Sequence, residues 1–411
     1  MTHVSQPRPP GLGLAQTRHF SSYASDGAAG SAGISQSPLR LLIFADAHGP
    51  TQEISFFRPL APLCASGAAA IRLIDENRLA NVRSRHGVTA TASFVREQFA
   101  EVRPTVVILS RYSGPDYPLI LQLAREWGRP VVCHLDDQLL DPPAILGLEA
   151  WARLMQPQRL HALYAIATEA DLVYTSTKVL GEQLARMIRP RRLVYGRIYV
   201  GGDATPPALS VAGIPPKQPD ELRIGYMGSA SHVADLEMVR PAILAVLKTY
   251  QQATFHLFGS IANTSIAGRF QDRATLIQRI RGGYADFRAA LNDMEWDIGL
   301  APLRPMAFND CKAPTKCIEY FEAGCAAIAS QGVVYDWVGA KGAAVLAGSA
   351  DWQAAMVSLI ENPDRRAALV AAGREVLRTE YSWTRLRSQV LNVLALACNL
   401  TSVGNEATVM D

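Results

Sequence analysis

From Leu39 onward, short runs of consecutive apolar residues alternate with longer stretches whose apolar positions recur every three or four residues. RLLIFAD (40–46), AAIRLID (69–75), PTVVILS (104–110), PVVCHLD (130–136) and DLVYTST (171–177) read as strands, with helix-like segments such as 116–128 and 178–188 between them. Strands that are apolar almost throughout belong to a sheet covered on both faces, and such sheets are parallel. The alternation pauses at the Pro-rich, weakly patterned stretch 202–220 and then resumes. ELRIGYMG (221–228), ATFHLFG (253–259), DIGLAPL (297–303), CAAIAS (325–330) and GAAVLAG (342–348) supply a second set of strands, with helices near 235–250, 284–294, 314–323, 350–361 and 364–378. A last helical stretch, 382–397, has no strand after it.

The pattern predicts an α/β protein with two tandem Rossmann-like domains whose parallel sheets face each other across a cleft, because open sheets of this kind bind ligands at the carboxyl ends of their strands. The expected division is a disordered tail at 1–37, a first domain at 38–205, a linker at 206–220, a second domain at 221–380, a terminal helix at 381–400 and a flexible tail at 401–411. Residues 1–37 are dominated by Ser, Gly, Ala, Pro and Gln, with Asp26 the only acid, and offer too little apolar surface to offset ordering entropy.

Composition narrows the function classes. The 411 residues are 49% hydrophobic and 19% charged, with a net charge of +3, so no bulk electrostatic attraction points to nucleic acid as a partner. No apolar run reaches the ~18 residues that span a bilayer, which predicts a cytoplasmic protein. The six cysteines lack paired or metal-type spacing and read as reduced core thiols, with no metal site among the expectations. Arg186, Arg189, Arg191, Arg192 and Arg197 form the one basic cluster. It reads either as a solvated helix end or as a contact with phosphorylated acceptors or with anionic lipid headgroups on the inner face of a membrane.

Candidate chemistry gathers at predicted strand ends. In FNDCKAPTKCIEYFEAG (308–324), Pro314 suits the first helical position and Gly324 the stop. Lys312, Lys316 and Glu319 then share one face, with Lys316 about 4.5 Å and Lys312 about 10 Å from Glu319 along the axis. That is the scale of a diphosphate followed by a ribose. Free N–H groups near Thr315 would hold phosphate oxygens beside the two lysines, and Glu319 would accept ribose hydroxyls. The alternative is a solvated Lys-to-Glu pair.

IGYMGSASHVADL (224–236) is a strand entering a Gly-Ser turn, where Gly228 and Ser229 would let a ligand approach the backbone and His232 stands close behind. A tight βα connection would need the same glycine. A helix beginning near Asp235 would kink or start later at Pro241. In the first domain, His134, Asp136 and Asp137 end one strand, and Asp46, His48 and Gly49 follow another. Adjacent carboxylates cost Coulomb energy unless paired, solvated or bound to a cation. An ordinary capped turn remains open for Asp137, a core histidine for His134, and a plain loop for 46–50.

Taken together, these segments resemble the glycosyltransferase family 4 group of GT-B architecture: IGYMGSASHVADLEMVRPAI (224–243), WDIGLAPL (296–303) and KAPTKCIEYFEAGCAAIAS (312–330) look like family segments in the same order, and VVCHLDDQLLD (131–141), ADLVYTSTKVLGEQL (170–184) and YSW (381–383) are similar to it too. The likeness covers about residues 39–398. It implies sugar transfer from a nucleotide diphosphate sugar to a glycan, lipid-linked or small-molecule acceptor, generally with retention and without metal or other cofactor, and a last helix that crosses back onto the first domain. The donor would be held by Gly228, Ser229, His232, Lys312, Thr315, Lys316 and Glu319. Catalytic candidates are His134, Asp136 and Asp310, with Asp46, His48, Gly49 and Asp137 on the acceptor side or in loops. Many members carry two glutamates eight positions apart. Glu319 matches the second, but Cys311 stands in place of the first, with Asp310 one residue away. That departure motivates a second hypothesis, a catalytically silent sugar-nucleotide-binding partner protein.

Overall fold

The structure, a computed structural model, describes residues 21–22, 38–198, 214, 216–280 and 282–406. The calls on the 1–37 tail apart from Ser21–Ser22, on most of the linker, and on 407–411 lie outside those residues.

Strands β2 (Leu39–Ala45), β3 (Ala69–Asp75), β4 (Val106–Ser110), β5 (Val131–Leu135), β6 (Leu172–Thr175) and β7 (Leu193–Tyr195) form one parallel sheet in the order β7-β6-β5-β4-β2-β3, and β1 (Ser21–Ser22) pairs with β7. Strands β8 (Leu222–Met227), β9 (Ala253–Phe258), β10 (Ala274–Ile277), β11 (Ile298–Ala301), β12 (Ala326–Ser330) and β13 (Ala344–Ala347) form a second parallel sheet in the order β10-β9-β8-β11-β12-β13. The chain order reverses between β2 and β4 in one sheet and between β8 and β11 in the other. Those switch points are where open α/β sheets leave a crevice.

Three strands escape the periodic reading. Ser21–Ser22 lies in the stretch expected to be a disordered tail, Leu193–Tyr195 is only three residues long and follows directly on Arg191 and Arg192, and Ala274–Ile277 is interrupted by Thr275 and has an exposed Leu276. The helix Glu76–Val102, also unanticipated, bends at Gly87, whose φ of 84° a residue with a side chain rarely adopts. The helix Val233–Thr249 starts before Asp235 and runs through Pro241, so the expected later start does not occur. Four of the six cysteines are buried, and all six are free thiols.

The terminal helix Trp383–Glu406 is longer than expected and crosses back onto the first domain. Leu386, Val390, Val393, Leu394 and Ala397 form its buried face. Gln389 fixes the crossing: its Nε2 donates to Tyr174 Oη at 2.6 Å and to the Arg197 carbonyl at 3.0 Å, and its Oε1 accepts from Arg197 N at 2.9 Å. Arg197 thereby leaves the basic cluster, pairing with Glu380 at 2.8 Å and lying over Tyr381 and Trp337. Arg186, Arg189, Arg191 and Arg192 stay exposed, with Arg191 3.4 Å from Asp171. Among the described residues, no helix is long and apolar enough to cross a membrane.

Close packing under the second crevice depends on Gly299 in β11. A Cβ there would lie 2.7 Å from the Tyr320 ring, which is fully buried and donates its hydroxyl to the Leu300 carbonyl at 2.8 Å. Gly299→Ala is expected to destabilise the protein by roughly 1–3 kcal/mol, the usual cost of overpacking a filled core. Urea unfolding midpoints would measure it, and an unchanged midpoint would mean that Tyr320 can move aside.

Candidate active site

The helix Thr315–Glu322 begins one residue after Pro314, which caps it rather than opening it. Lys312 therefore precedes the helix, and the expected single face of Lys312, Lys316 and Glu319 reduces to Lys316 and Glu319. Lys312 instead reaches the first domain, with Nζ 3.6 Å from Asp137 Oδ1 and 4.9 Å from the Phe308 ring centre.

Lys316 is half-buried beside Tyr226, and its Nζ lies 3.5 Å from His232 Nε2. His232 Nδ1 faces Asp235 Oδ2 at 2.8 Å. With the Nδ1 proton donated to Asp235, Nε2 is left to accept from the lysine. Asp235 is buried, and its Oδ1 accepts from Arg304 N at 2.9 Å and Asn309 Nδ2 at 3.3 Å. A chain of contacts from the 304–309 segment through Asp235 and His232 thus aims one ammonium at the crevice. Burial, with Lys316 adding to it, pushes His232 down to about 4, so the ring is neutral at pH 7. Burial and the nearby Lys312 push Lys316 down to about 8.

Glu319 is buried and accepts from Tyr284 Oη at 2.9 Å. Burial pushes its carboxyl up to about 7, a rise that Tyr284 and Lys316 only partly offset. Burial raises the acid and lowers the base, one turn apart; an anion beside Lys316 would restore its charge, and ligand hydroxyls donating to Glu319 would favour its carboxylate. Folding stability carries the signature. The folded Glu319 holds its proton more tightly than the unfolded chain does, so its contribution is complete below about pH 4.5 and falls as pH rises towards 7. Glu319→Gln is expected to flatten that decline. Unfolding midpoints at pH 4.5 and 7.5 would test it, and parallel profiles for both proteins would contradict it.

Gly228 closes the other side of the crevice. Its N–H donates to the Phe258 carbonyl and its carbonyl accepts from Ile261 N, so this peptide is already engaged by the neighbouring turn. Gly259, with φ of 102°, must lack a Cβ because the Gly228 oxygen would lie 2.6 Å from it. Ser229 Oγ, 2.7 Å from Ser231 Oγ, remains exposed at the tip. Thr315 is half-buried at the helix start, where the first N–H groups point outward.

Across the cleft, Arg111 follows β4 in the left-handed region, with φ of 56°. Its Nε donates to Asp46 Oδ2 at 2.9 Å, its guanidinium bonds Asp136 Oδ1, and Asp137 lies 3.6 Å away. Burial works against this guanidinium's charge, but the three carboxylates overcome it and raise its pKa. Burial would likewise raise Asp136, yet Arg111 holds it below the usual carboxylate range. Thr51 donates to the other Asp136 oxygen at 2.6 Å, so each carboxylate oxygen already has one partner.

His134 is a core residue rather than a cleft one. It is 1% exposed, packs its ring against Phe56 and Tyr174, and shares its Nδ1 with Ser110 Oγ at 2.9 Å. Burial keeps it neutral, down to about 4. His48 turns aside to Glu53 at 2.8 Å, and Gly49 caps the short helix Pro50–Gln52 through Gln52 Oε1. Asp46 and Asp137 stay partly exposed.

Cys311, in the place of the expected first glutamate, is fully buried against the first domain's core. Thr177 Oγ1 donates to its carbonyl at 2.8 Å, and Gln183 Nε2 donates to the Ala307 carbonyl at 3.0 Å. The cleft is therefore closed along 306–312. Asp310 sits on the same turn, half-buried, with no ion pair among the described residues.

No protein-family model and no curated protein matches the chain. Solved structures do. HepE of Anabaena in complex with UDP-glucose superposes with a TM-score of 0.59 at 12% identity, over 87% of this chain and 99% of that one. Sucrose-phosphate synthase of Thermosynechococcus elongatus does so at 0.59 and 14%, over 86% and 98%. The UDP-forming trehalose-phosphate synthase of Burkholderia vietnamiensis gives 0.54 and 14%, over 88% and 98%. The fold is GT-B.

In the GT-B frame, the Lys316–Glu319 face and the Gly228 turn sit together at the second domain's switch point, and the Arg111 cluster sits at the first's. The structure brings Gly228, Ser229, His232, Lys316 and Glu319 to one crevice, with Lys312 at its rim. Arg111, Asp235, Tyr284 and Arg304 were not singled out from sequence. Arg111 alone carried a local signal, as a charged residue directly after an apolar strand.

Proposed function

We propose that the chain is a glycosyltransferase of the family 4 type that moves a sugar from a nucleotide diphosphate sugar to an acceptor hydroxyl. In this reading it acts with retention of anomeric configuration, needs no metal or other cofactor, and serves cell-surface polysaccharide or glycan biosynthesis. The observation that carries the proposal is the pairing of a lowered Lys316 with a raised Glu319 on one helix face, opposite a glycine turn. HepE, which shares the fold, holds UDP-glucose in one crystal and UDP with glucose in another, which supports the same class of donor.

Lys316, Lys312, the first N–H groups at Thr315 and the Ser229 hydroxyl would hold the diphosphate. As the bond from the anomeric carbon to the diphosphate breaks, negative charge grows on the leaving oxygens, and fixed cations beside them stabilise it more than the ground state. Glu319 would accept the ribose hydroxyls, with Tyr284 keeping one of its oxygens in place. Asp310 is the carboxylate available for the donor sugar. Asp136 acts by anchoring Arg111, and Asp46 and Asp137 face the acceptor.

A thermal-shift screen of nucleoside diphosphates and their sugars tests the reading. A ligand at on the order of 100 times its Kd adds about 2.7 kcal/mol to the native state. No shift with any of them would overturn it. Cys311 favours a second reading, a silent sugar-nucleotide binder. Tight nucleotide binding without release of nucleoside diphosphate, across donors and acceptors, would decide for that one.

A further inference from the structure

We infer that the cavity between the first domain's 142–148 segment and the helix Val233–Thr249 binds the acceptor, and that this acceptor joins an apolar body to a phosphate monoester held by Arg304. The inference rests on the glycosyltransferase reading and adds to it the class of acceptor.

The cavity has a volume of about 620 Å³, within the ~300–1,000 Å³ usual for small-molecule sites. Its roof is the turn Ala144–Leu146 with Gly147, from the first domain. Its floor is the Val233, Ala234 and Met238 face of the helix, from the second. Ile266 closes one wall. Because roof and floor belong to different domains, the site exists only while the cleft is closed, and an occupant would bind both halves. Beside it, Ile145 and Leu148 are 38% and 78% exposed, large apolar side chains facing water at the mouth.

The lining suits an amphipathic molecule better than a bare sugar. Hydroxyls pressed against Ile145, Val233, Met238 and Ile266 would lose water without gaining partners. The charged residues decide the sign of the ligand. Arg269 pairs with Glu237 at 3.0 Å, and Glu237 also binds Arg240, so two guanidiniums share one carboxylate and this wall is itself net positive. Arg304 is exposed and has no carboxylate partner among the described residues, while its backbone N–H is anchored on Asp235. A guanidinium with no carboxylate partner, on a cavity wall of mixed apolar and positive character, calls for an anion, and its planar fork matches phosphate oxygens.

The cavity also adjoins the proposed diphosphate site. Ile145, Leu146, Ala234 and Arg304 line a second space, of about 10 Å³, whose other walls include His232, Asn309 and Lys312. A ligand lodged under the roof would therefore lie next to the residues proposed for the diphosphate.

Calorimetric titration of the full chain, saturated with UDP to occupy the donor crevice, tests the inference with phenyl phosphate as the probe. Phenyl phosphate is expected to bind at least ten-fold more tightly than inorganic phosphate. Arg304→Gln, at an exposed position, should weaken it on the order of 10–100-fold, the range for a lost charge-assisted bond. Ala234→Trp should fill the floor and abolish phenyl phosphate binding while UDP still binds. n-Octyl phosphate binding more tightly than phenyl phosphate would identify a lipid-linked source, and the reverse order a compact aryl or alkyl acid. Equal affinity for phenyl and inorganic phosphate, or wild-type affinity in both variants, overturns the inference. A chain that does not bind UDP at all overturns the reading beneath it instead.

Discussion

Lys316→Ala is expected to lower the turnover of sugar transfer by on the order of 10²–10³-fold, the cost of removing one preorganised group that stabilises developing charge. The ammonium is already held in place by His232 at 3.5 Å, itself fixed by Asp235 at 2.8 Å, so no reorganisation is needed when the diphosphate leaves. Burial, with the nearby Lys312, lowers its pKa to about 8. A bound diphosphate would restore the full charge. The loss should therefore fall mainly on kcat, with a smaller rise in KM. Lys316→Arg should recover part of the rate, because it keeps the charge and changes the geometry. Steady-state kinetics with a UDP-sugar would measure both variants. A loss confined to KM would assign Lys316 to ground-state binding alone, and wild-type kinetics would remove it from the site.

Arg111→Met is expected to cost about 3–5 kcal/mol of stability, since it leaves buried or half-buried carboxylates without their cation. Arg111 is 20% exposed and Asp136 only 11%, so water cannot replace the missing charge. At roughly 2–4 °C per kcal/mol for domains of this size, Tm should fall on the order of 10 °C. The sign of the pH dependence is also determined. In the wild type, the lowered pKa of Asp136 gives stability that is present above pH 3.8 and lost as the pH falls further. In the variant, Asp136 loses the cation that holds its pKa down and binds protons more readily, so the deficit should shrink between pH 7 and pH 5. A deficit that grows on acidification would mean that Arg111 does not organise this cluster.

Much of the frame was legible in the one-dimensional pattern. Every strand that is apolar throughout was found within a few residues, because burial on both faces leaves that mark locally. Ala274–Ile277 was missed because a sheet-edge strand need not be apolar on both faces, and Leu193–Tyr195 because three residues are too few to show a pattern. The site was legible in part. Lys316 and Glu319 share a helix turn, so their spacing is a local property. Lys312 was placed on that helix wrongly, because whether Pro314 opens a helix or caps it depends on how the 306–312 segment packs against the first domain.

His134 and Asp136 show the other limit. Their position at a strand end was readable, but which side of the sheet each side chain occupies, and what meets it there, was not. Phe56 and Tyr174 enclose His134 from distant parts of the chain, and Thr51 and Arg111 engage Asp136 across 85 and 25 residues. By itself the sequence determined two parallel α/β domains and a helix carrying a cation and a carboxylate at ligand spacing, since strand periodicity, helix rise and turn chemistry act over a few residues. Only the tertiary structure decided that three aspartates close on Arg111, that Cys311 packs against the first domain's core, and that Arg304 lines an interdomain cavity with no carboxylate partner among the described residues. Those outcomes depend on which distant groups meet when two domains close, and on the charge and water that remain between them.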